Sequence, residues 1–477
     1  MTVFEDAEAR FSDAQERELL GGARRTPYWL ENASRPAARR PLAEDARCDL
    51  VVVGGGYTGL WTALLAKERD PERDVVLLEA KRIGWAASGR NGGFCEASLT
   101  HGAANGIRRL PDEYERLAEL GQQNLDQLAE TVSRYAMDCD FQMSGVLRTA
   151  TEPHQVEWLR TSARDDAHAR FLSAEDLAAE VRSPLYQAGL FESQGTAIVH
   201  PAKLAWELAR VCEELGVRIF EGTLVERIVA DAAAVSVKTP GGVVRAQRVA
   251  LGTNVFPALI RKERKYTIPL YDYALMSNPL SEQQAAQLGW AEQYGITDLN
   301  NRFHYSRLTT DADGRLRILY GGYDAIYHYG GRVKPQYDQR DASFRRLAAH
   351  FAATYPYLAD LGFSHKWGGA IDTCSRFFPF FATQHEGRVA HTAGFTGLGV
   401  GATRFAAGVM VDLLDGRSTE LTRMDYVTKK PLPFPPDPFA FVGARVSYSE
   451  MARADRHEGK RGLWLRTMDA VGLGFDS

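Results

Sequence analysis

Cysteine is scarce in this sequence, and its placement excludes a disulfide scaffold and a zinc module. The chain has five cysteines among 477 residues. They are scattered, odd in number and never spaced as Cys-x-x-Cys, which argues against both kinds of cross-link. A reducing cytoplasm is therefore the expected location, and no metal site is expected. The five are Cys48, Cys95, Cys139, Cys212 and Cys374.

Long apolar runs and an excess of charge of one sign are also missing. No stretch reaches the roughly 18 apolar residues that a membrane span needs, and the N-terminus is acidic where a secretory signal would be basic. The 57 basic and 61 acidic residues nearly cancel, so no overall field favours nucleic acid. With 45% hydrophobic residues, the chain has the composition of a folded protein of two or three domains.

Glycine, in contrast, is concentrated where apolar segments end. The run Val51–Val53 predicts a buried parallel strand, which leads into a Gly-x-Gly-x-x-Gly turn, a helical pattern and a second apolar strand ending near Glu79. In such a βαβ unit the glycines permit a tight turn, close approach of a pyrophosphate and close helix packing, while the acid accepts hydrogen bonds from ribose hydroxyls. The predicted dinucleotide contacts are Gly54, Gly56, Tyr57, Thr58, Gly59 and Glu79.

The segment after the second strand bears on the choice between NAD and FAD. Residues 87–93 read Ala-Ser-Gly-Arg-Asn-Gly-Gly. This is either a surface turn with a solvated arginine or a run of small residues and backbone amides along a pyrophosphate and a flavin ring, with Arg90 supplying positive charge. A nicotinamide enzyme has no obvious use for such a segment here, so the sequence favours FAD.

A second glycine-rich region lies before an apolar helix near the C-terminal end of the compact part. A helix N-terminus directed at the flavin carbonyl edge would stabilise negative charge on the reduced ring. Glycines that only allow close packing of helix and sheet are the alternative. Because two such regions occur in one chain, the flavin interpretation is favoured for both. The glycines of this region are Gly394, Gly397, Gly399 and Gly401.

Together these segments resemble the D-amino-acid-oxidase-like flavoproteins, the superfamily of glycine oxidase, sarcosine oxidase and γ-glutamylputrescine oxidase. The resemblance covers about residues 25 to 420. It implies an α/β fold, α+β overall, with a Rossmann-like FAD-binding domain built from discontinuous segments and a substrate domain with a mainly antiparallel sheet. The motifs that carry it, in the family's order, are VVVGGGYTGL…LLEA from Val51, GWAASGRNGGF from Gly84, HPAKL from His200, RVALGTN from Arg248, WGGAID from Trp367 and GFTGLGVG from Gly394.

The resemblance also implies further contacts with FAD. Carried over by position, Lys81 or Arg82 would lie on the adenine side and Val225 would meet adenine through its backbone. Gly252 would let the chain pass the cofactor. The other residues expected to line the pyrophosphate and flavin are Ala80, Ala87, Ser88, Gly89, Arg90, Asn91, Gly92, Gly93, Gly397, Leu398, Gly399, Val400 and Gly401.

Two positions depart from the family pattern. Leu398 stands where many relatives have histidine, which removes a polar contact near the pyrimidine end of the flavin. Cys374 lies in the general region of the cysteine that bonds covalently to flavin in sarcosine oxidases, but without the flanking pattern of those enzymes. A lone cysteine is more often a buried, inert thiol, so noncovalent FAD is expected.

The motifs also predict domain boundaries. An extended N-terminal arm without chemistry is expected first, and a C-terminal tail that docks on its own domain or on a second subunit is expected last. The predicted divisions are the arm, 1–39; the FAD-binding segments, 40–110, 196–262 and 366–425; the substrate domain, 111–195 and 263–365; and the tail, 426–477.

The resemblance implies oxidation of an amine or amino acid to an imine by hydride transfer to flavin N5, followed by hydrolysis to a carbonyl product. The alternatives are oxidation of a hydroxy acid or another C–H donor, and a flavin-binding scaffold without turnover. The electron acceptor is oxygen or another, unknown acceptor. The sequence does not indicate the oligomeric state.

Catalytic residues are harder to predict, because the protein mainly orients and desolvates the substrate of a flavin. An arginine over the flavin, Arg376 or Arg307, would bind a carboxylate or phosphonate by two parallel hydrogen bonds, although such arginines are often solvated or ion-paired. Alternation along a strand places His304 and Tyr305 on opposite faces, so only one of them can face the flavin. The remaining candidates are Tyr271, Tyr273, Tyr320 and Tyr323.

Overall fold

The computed structural model describes residues 1–256 and 259–474, which form helices and strands over most of their length. The strands are β1 (Ala46–Val53), β2 (Val75–Leu78), β3 (Phe94–Glu96), β4 (Gln142–Met143), β5 (Val146–Ala150), β6 (Ala169–Ser173), β7 (Ala188–Glu192), β8 (Thr196–Ile198), β9 (Arg218–Phe220), β10 (Arg227–Ala230), β11 (Val235–Thr239), β12 (Gly242–Leu251), β13 (Ile268–Ser277), β14 (Gly295–Asp298), β15 (His304–Thr310), β16 (Leu316–Gly322), β17 (Ile326–Tyr327), β18 (Phe363–Thr373), β19 (Phe380–Gln384) and β20 (Val389–Ala393). The helices are α1 (Val3–Arg10), α2 (Asp13–Leu20), α3 (Tyr57–Arg69), α4 (Ala103–Arg109), α5 (Tyr114–Arg134), α6 (Pro153–Asp165), α7 (Ala174–Glu180), α8 (Pro201–Glu214), α9 (Glu282–Leu288), α10 (Asp341–Thr354), α11 (Ala402–Leu414), α12 (Glu420–Arg423), α13 (Asp425–Thr428), α14 (Phe439–Arg456) and α15 (Leu463–Ala470).

An eight-stranded sheet contains the predicted βαβ unit. Strand β1 pairs in parallel with β2 on one side and β12 on the other, β2 pairs in parallel with β9, and β12 with β20. Leu50 and Val52 belong to the hydrophobic cluster on one face of the sheet, and Val51 and Val53 belong to the cluster on the other face. Burial on both faces explains why this strand is a continuous apolar run.

Helices cover one face of this sheet, and a β-hairpin extends it. Helix α3 packs against α8 and α11, which brings the N-terminal and C-terminal glycine-rich regions to the same side of the molecule. A Pro-Gly-Gly turn joins β11 to β12, where Thr239 pairs with Gly242. The discontinuous, Rossmann-like arrangement expected from the sequence is confirmed.

A second, nine-stranded sheet has the order β17-β13-β16-β15-β14-β5-β7-β6, with β18 beside β13. The pairs are antiparallel except for β14 and β5. Helix α10 packs on one face through Phe344 and Phe351, in the same cluster as Tyr271 and Tyr273. The mainly antiparallel second sheet is therefore also as expected. Strand β18, whose sequence was grouped with the FAD-binding segments, pairs with β13 in this sheet.

The sequence predicts an extended N-terminal arm, but the arm contains two short helices, α1 and α2. A capping box begins each helix: Thr2 with Glu5 for α1, and Ser12 with Gln15 for α2. In a capping box a side-chain oxygen and a side chain three residues later satisfy backbone N–H groups that the helix leaves free. Both helices pack on α10. The local capping signals were present in the sequence and were overlooked because the surrounding residues are polar.

The C-terminal tail docks on its own chain. Arg376 donates to the carbonyls of Lys429 (2.8 Å) and Tyr426 (2.9 Å), and Ser375 Oγ donates to the carbonyl of Leu432 (2.7 Å). Beyond this point α14 and α15 pack against each other. In the part of the chain that is described, no helix is both long and apolar enough to span a membrane.

The first test of this fold concerns the contact between α3 and β1. An alanine Cβ at Gly59 would lie 1.9 Å from the carbonyl oxygen of Gly54, which is backbone and has no room to move. We expect Gly59→Ala to lower the free energy of unfolding by about 1–3 kcal/mol or more, as overpacking does. The thermal midpoint followed by circular dichroism measures this effect.

The matched control is Gly408→Ala in α11. A Cβ at Gly408 would come no closer than 4.0 Å to Arg69 and Leu65. Because alanine favours a helix over glycine by about 1 kcal/mol, this variant is expected to match or exceed the wild-type midpoint. Equal midpoints for Gly59→Ala and the wild type would contradict the close approach.

Candidate active site

A cavity of about 1600 Å³ lies between the two sheets. The ends of β1, β2 and β12 reach it from the first sheet, and β13, β15 and β18 reach it from the second. Ligands of parallel α/β sheets bind at the carboxyl ends of the strands, as this position requires. The volume exceeds the ~300–1,000 Å³ of ordinary small-molecule sites, so the cavity has room for a large cofactor and a second ligand.

The turn between β1 and α3 forms the floor of the first half of the cavity. Gly54 has φ +109°, and a Cβ there would lie 2.5 Å from the carbonyl oxygen of Gly252. At Gly56 a Cβ would meet only Ser88 Oγ, at 3.0 Å. The backbone N–H of Tyr57 donates to the same Ser88 hydroxyl (3.0 Å). The turn therefore brings the N-terminus of α3, with Ser88 beside it, to the cavity, and partial positive charge at a helix N-terminus attracts anions.

Glu79 joins three neighbouring segments. Its carboxylate accepts hydrogen bonds from the backbone N–H of Gly55 (2.7 Å), the backbone N–H of Lys81 (2.7 Å) and the indole N–H of Trp85 (2.9 Å). Burial raises the pKa of Glu79, and these donors oppose that rise. The ammonium of Lys81 lies 4.1 Å from the centre of the Trp85 ring. The acid thus holds the walls on which an adenosine would rest.

Residues 87–93 form a turn that is held by hydrogen bonds within the segment and that connects the two sheets. Asn91 donates to the carbonyl of Ala87 (2.9 Å) and accepts from the N–H of Gly93 (2.8 Å). Arg90 donates to the carbonyl of Gly368 in β18 (3.1 Å) and forms an ion pair with Asp338. The positive charge predicted for the cofactor is therefore partly engaged by a carboxylate.

The C-terminal glycine-rich loop borders the other end of the cavity. Gly397 has φ +96°, and a Cβ at Gly399 would have no atom nearer than 3.9 Å. Asp372 holds the start of this loop by accepting from the N–H of Gly394 (2.6 Å), and burial raises the pKa of Asp372 to about 7. Leu398 lines the cavity, as does His101, whose Nε2 lies 4.0 Å from the Cβ position of Gly397. Leu398 stands where many relatives have a histidine, and the side chain of His101, from another loop, lies close to that position.

The residues that line the cavity fit a flavin dinucleotide cofactor. The backbone at Gly399 is open to the cavity, and residues of both glycine regions line it. Among the described residues, Thr253 Oγ1 and Asn254 Oδ1 are buried without a hydrogen-bond partner, and both residues line the cavity. Buried polar atoms normally have partners, so these two indicate a ligand.

Most of the predicted cofactor contacts line this cavity. Six do not, and close packing explains the five glycines among them: a Cβ at each would lie within 2.8 Å of another protein atom. Arg82 instead donates to the carbonyl of Pro36 (2.6 Å) and pairs with Glu221 (3.2 Å). The six are Gly59, Arg82, Gly89, Gly93, Gly394 and Gly401.

Four of the catalytic candidates do not line the cavity in the described part of the chain. The two arginines among them instead donate hydrogen bonds to backbone carbonyls. Arg376 is buried and binds the carbonyls that anchor the tail. Arg307 is buried and donates to the carbonyl of Val199 (2.7 Å); burial lowers its pKa to about 10. Neither is placed to clamp a substrate acid, because each has taken up carbonyl oxygens of the fold.

The side chains of His304 and Tyr305 in β15 lie on opposite faces of the sheet, as alternation along a strand predicts. His304 contacts Asp298 (2.6 Å) and His350 (2.8 Å) on the face covered by α10, whereas Tyr305 faces the cavity. Tyr320 shares the covered face and contacts Thr354 (3.2 Å). Tyr271, Tyr273 and Tyr323 line the cavity as well.

Asp272 is the polar group at the cavity that the sequence interpretation missed. It lies between Tyr271 and Tyr273 on β13, opposite Gly369 of β18. Its carboxylate accepts a hydrogen bond from the Tyr305 hydroxyl (2.7 Å), and burial raises its pKa to about 7. The available signal was an acid in a strand otherwise made mostly of apolar and aromatic residues, since carboxylates mostly lie at exposed positions and this one is half-buried.

Cys374 does not reach the cavity within the described structure. Its thiol is buried and contacts the carbonyls of Phe378 (3.1 Å) and Gly394 (3.3 Å). Burial raises the pKa of this thiol. A buried, protonated thiol behind the loop agrees with the expectation of noncovalent FAD.

Comparison with known proteins identifies the class to which this fold and cavity belong. The family model described as "FAD dependent oxidoreductase" matches residues 49–413. The chain therefore belongs to the family of FAD-dependent oxidoreductases, and its cofactor is FAD.

Particular relatives narrow the comparison. The chain is 31% identical over 442 residues to gamma-glutamylputrescine oxidoreductase of Escherichia coli (strain K12), covering 87% of this chain and 96% of that protein. The fold is similar to that of glycine oxidase from Geobacillus kaustophilus, with a TM-score of 0.61, 18% identity and coverage of 79% and 96%. It is also similar to iminodiacetate oxidase from Chelativorans sp. BNC1, with a TM-score of 0.62, 15% identity and coverage of 81% and 100%.

The role of Glu79 can be tested by FAD affinity. Glu79→Ala leaves the donors of Gly55, Lys81 and Trp85 without their acceptor. Because hydrogen bonds to a charged group contribute about 1.5–3 kcal/mol each, we expect FAD to bind at least tenfold more weakly. Fluorescence titration of the apoprotein with FAD measures the Kd.

The matched control is Glu226→Ala, at an exposed acid that also lines the cavity. It is expected to leave the Kd for FAD within about twofold, since an exposed surface side chain contributes little. Equal affinities of the Glu79→Ala protein and the wild type would refute the role of Glu79.

Proposed function

We propose that this FAD-dependent oxidoreductase oxidises the C–N bond of an amine or amino acid to an imine, which water then hydrolyses. The names of the similar proteins support this proposal: a gamma-glutamylputrescine oxidoreductase, a glycine oxidase and an iminodiacetate oxidase all take their names from amines or amino acids. Oxygen is one candidate acceptor, and its reduction would yield hydrogen peroxide. The five unpaired cysteines fit the expected cytoplasmic location.

The observation that carries the proposal is the Asp272 carboxylate. It lines the cavity on the second sheet, across from the cofactor half of the site. Its pKa of about 7 lets it exist as both acid and base near neutral pH. A substrate ammonium that enters a buried site is stabilised by a carboxylate. A group with a pKa near the working pH is also the most effective proton acceptor.

In the proposed reaction Asp272 removes a proton from the substrate before the C–N bond is oxidised. The substrate ammonium loses one N–H proton to Asp272, which becomes a neutral carboxylic acid. FAD, when bound, would supply the hydride acceptor: the carbon beside the nitrogen would give up a hydride, and the nitrogen lone pair would form the C=N bond of a protonated imine. Tyr305 holds the Asp272 carboxylate in place by its hydroxyl.

The direct test is flavin bleaching. Purified holoprotein is expected to be yellow, and an anaerobic panel of amines and amino acids is expected to bleach its visible absorbance. Hydroxy acids of the same carbon skeleton are the matched comparison, and they are expected to leave it unchanged. Bleaching by hydroxy acids alone would replace the proposal with a hydroxy-acid oxidation, and tight FAD without bleaching by any donor would point to a scaffold.

The pH dependence tests Asp272 itself. Since only the carboxylate accepts the proton, the rate constant for anaerobic flavin reduction is expected to rise as pH increases through about 7. Asp272→Asn is expected to lose this rise and to react about 10²–10⁴-fold more slowly. The ionisation of the substrate amine contributes a separate rise at higher pH in every variant.

Tyr305→Phe is the companion variant. The Tyr305 hydroxyl lowers the pKa of Asp272, so its removal is expected to move the rise to higher pH while retaining it. A profile that is the same in the wild type, Asp272→Asn and Tyr305→Phe would exclude Asp272 as the proton acceptor.

A further inference from the structure

The outer wall of the cavity is built by the C-terminal tail, which extends beyond the residues matched by the family model. Helices α14 and α15 supply most of this wall, and Trp158 of α6 adds to it. Among the described residues of 429–474 that line the cavity, none is charged. The large apolar side chains of the wall are Phe439, Val442, Met451, Trp464, Leu465 and Met468.

Small residues on α14 leave a space beneath this wall. Ala440, Gly443, Ala444 and Ser447 line the cavity at helical spacing, so they share one face of the helix. A Cβ at Gly443 would have no atom within 4 Å. The helix therefore stands back from the second sheet and encloses a chamber, which we call the tail chamber.

The tail chamber exposes apolar surface that the protein itself does not cover. Phe439 is 70% exposed and Val442, one helical turn further along α14, is 55% exposed, although both line the cavity. Contiguous exposed apolar surface in a concave site marks a ligand-binding or interaction site. Since this surface lines the same cavity as Asp272, a substrate that extends outward from Asp272 would cover it.

Polar contacts fix the tail in position. The Tyr448 hydroxyl donates to Asp324, and Asp455 accepts from the backbone N–H of Asn301 (2.8 Å). Arg456 forms an ion pair with Glu5 of α1 (2.8 Å). These contacts hold α14 against the second sheet and the N-terminal arm. They therefore fix the position of the helix that encloses the chamber.

Two arginines elsewhere on the cavity wall have acidic partners. Arg148 pairs with Glu192 (2.7 Å), and Arg302 pairs with both Glu5 (3.3 Å) and Asp455 (3.5 Å). An acidic substituent on the substrate would compete with these carboxylates for the same cation. Since no charged side chain among the described residues of 429–474 lines the cavity, the chamber favours an uncharged group.

We propose that the tail chamber is a subsite for an apolar group, an alkyl chain or an aromatic ring, attached to the amine that Asp272 receives. This assignment rests on the proposed function. It separates the substrate of this protein from amines that end in a carboxylate.

The experiment measures kcat/KM of the holoenzyme for n-alkylamines of increasing length. Burial of each methylene is expected to raise kcat/KM about fourfold until the chamber is full. An ω-amino acid of the same length as each amine provides a charged comparison and is expected to be a poorer substrate. A kcat/KM that does not depend on chain length would overturn the proposal.

Two variants of α14 locate the effect. Gly443→Leu places a side chain in the open chamber, and Ser449→Leu places the same side chain on the exposed outer surface. Gly443→Leu is expected to keep the activity toward short amines and to end the rise two or more methylenes earlier. Ser449→Leu is expected to follow the wild type, and an identical profile for Gly443→Leu would overturn the assignment.

Thermal shifts distinguish this proposal from the proposed function. 1-Alkanols, at concentrations that leave the flavin oxidised, are expected to raise the thermal midpoint of the wild type more as the chain lengthens, and to do so less in Gly443→Leu. If the alkanols behave in this way but no amine bleaches the flavin, the chamber stands and the proposed function fails. If amines bleach the flavin with no dependence on chain length in either measurement, the chamber proposal fails alone.

Discussion

The structure depends on one close backbone contact, where the turn after β1 meets the end of β12 beneath α3. Gly54 and Gly252 approach so closely that a Cβ at Gly54 would lie 2.5 Å from the Gly252 carbonyl oxygen, and α3 begins directly above them. Glu79 then fixes the neighbouring loops through three N–H donors. Because this contact sets the position of the helix N-terminus, it also sets where a diphosphate can rest relative to the second sheet.

The cofactor half of the site could be predicted from the sequence because its information is local. Turn, helix start and acid lie within one βαβ unit, and each glycine there answers a steric requirement of its immediate neighbours. The same logic misled where a glycine served packing instead. Gly93 and Gly401 occur in the same motifs, yet a Cβ at either position would lie 2.3 Å from a backbone oxygen of another segment, Val199 or Glu96. Sequence spacing does not distinguish a glycine beneath a ligand from a glycine beneath a neighbouring strand.

The substrate half could be predicted only in outline because it depends on long-range register. The alternation of His304 and Tyr305 follows from strand geometry alone, but the choice of the inward face follows from pairing with β14 and β16. Arg307 and Arg376 have the chemistry of anion receptors. Both are used inside the fold, where buried carbonyl oxygens of distant segments needed donors. The acid in β13 is visible in the sequence, but its partner Tyr305 is 33 residues away, so the pairing of Asp272 with a tyrosine hydroxyl is not.

Enclosure by the C-terminal tail links the two halves chemically. The pKa of Asp272 is raised chiefly by desolvation, because the protein around the carboxylate replaces part of its hydration water. The second sheet alone covers one side; α14, held to Asp324 by Tyr448, covers another. An apolar group in the tail chamber would displace water from the same space, which would strengthen the attraction between an ammonium and the Asp272 carboxylate. Hydrophobic recognition at the outer wall and proton acceptance at the inner wall therefore draw on the same exclusion of water.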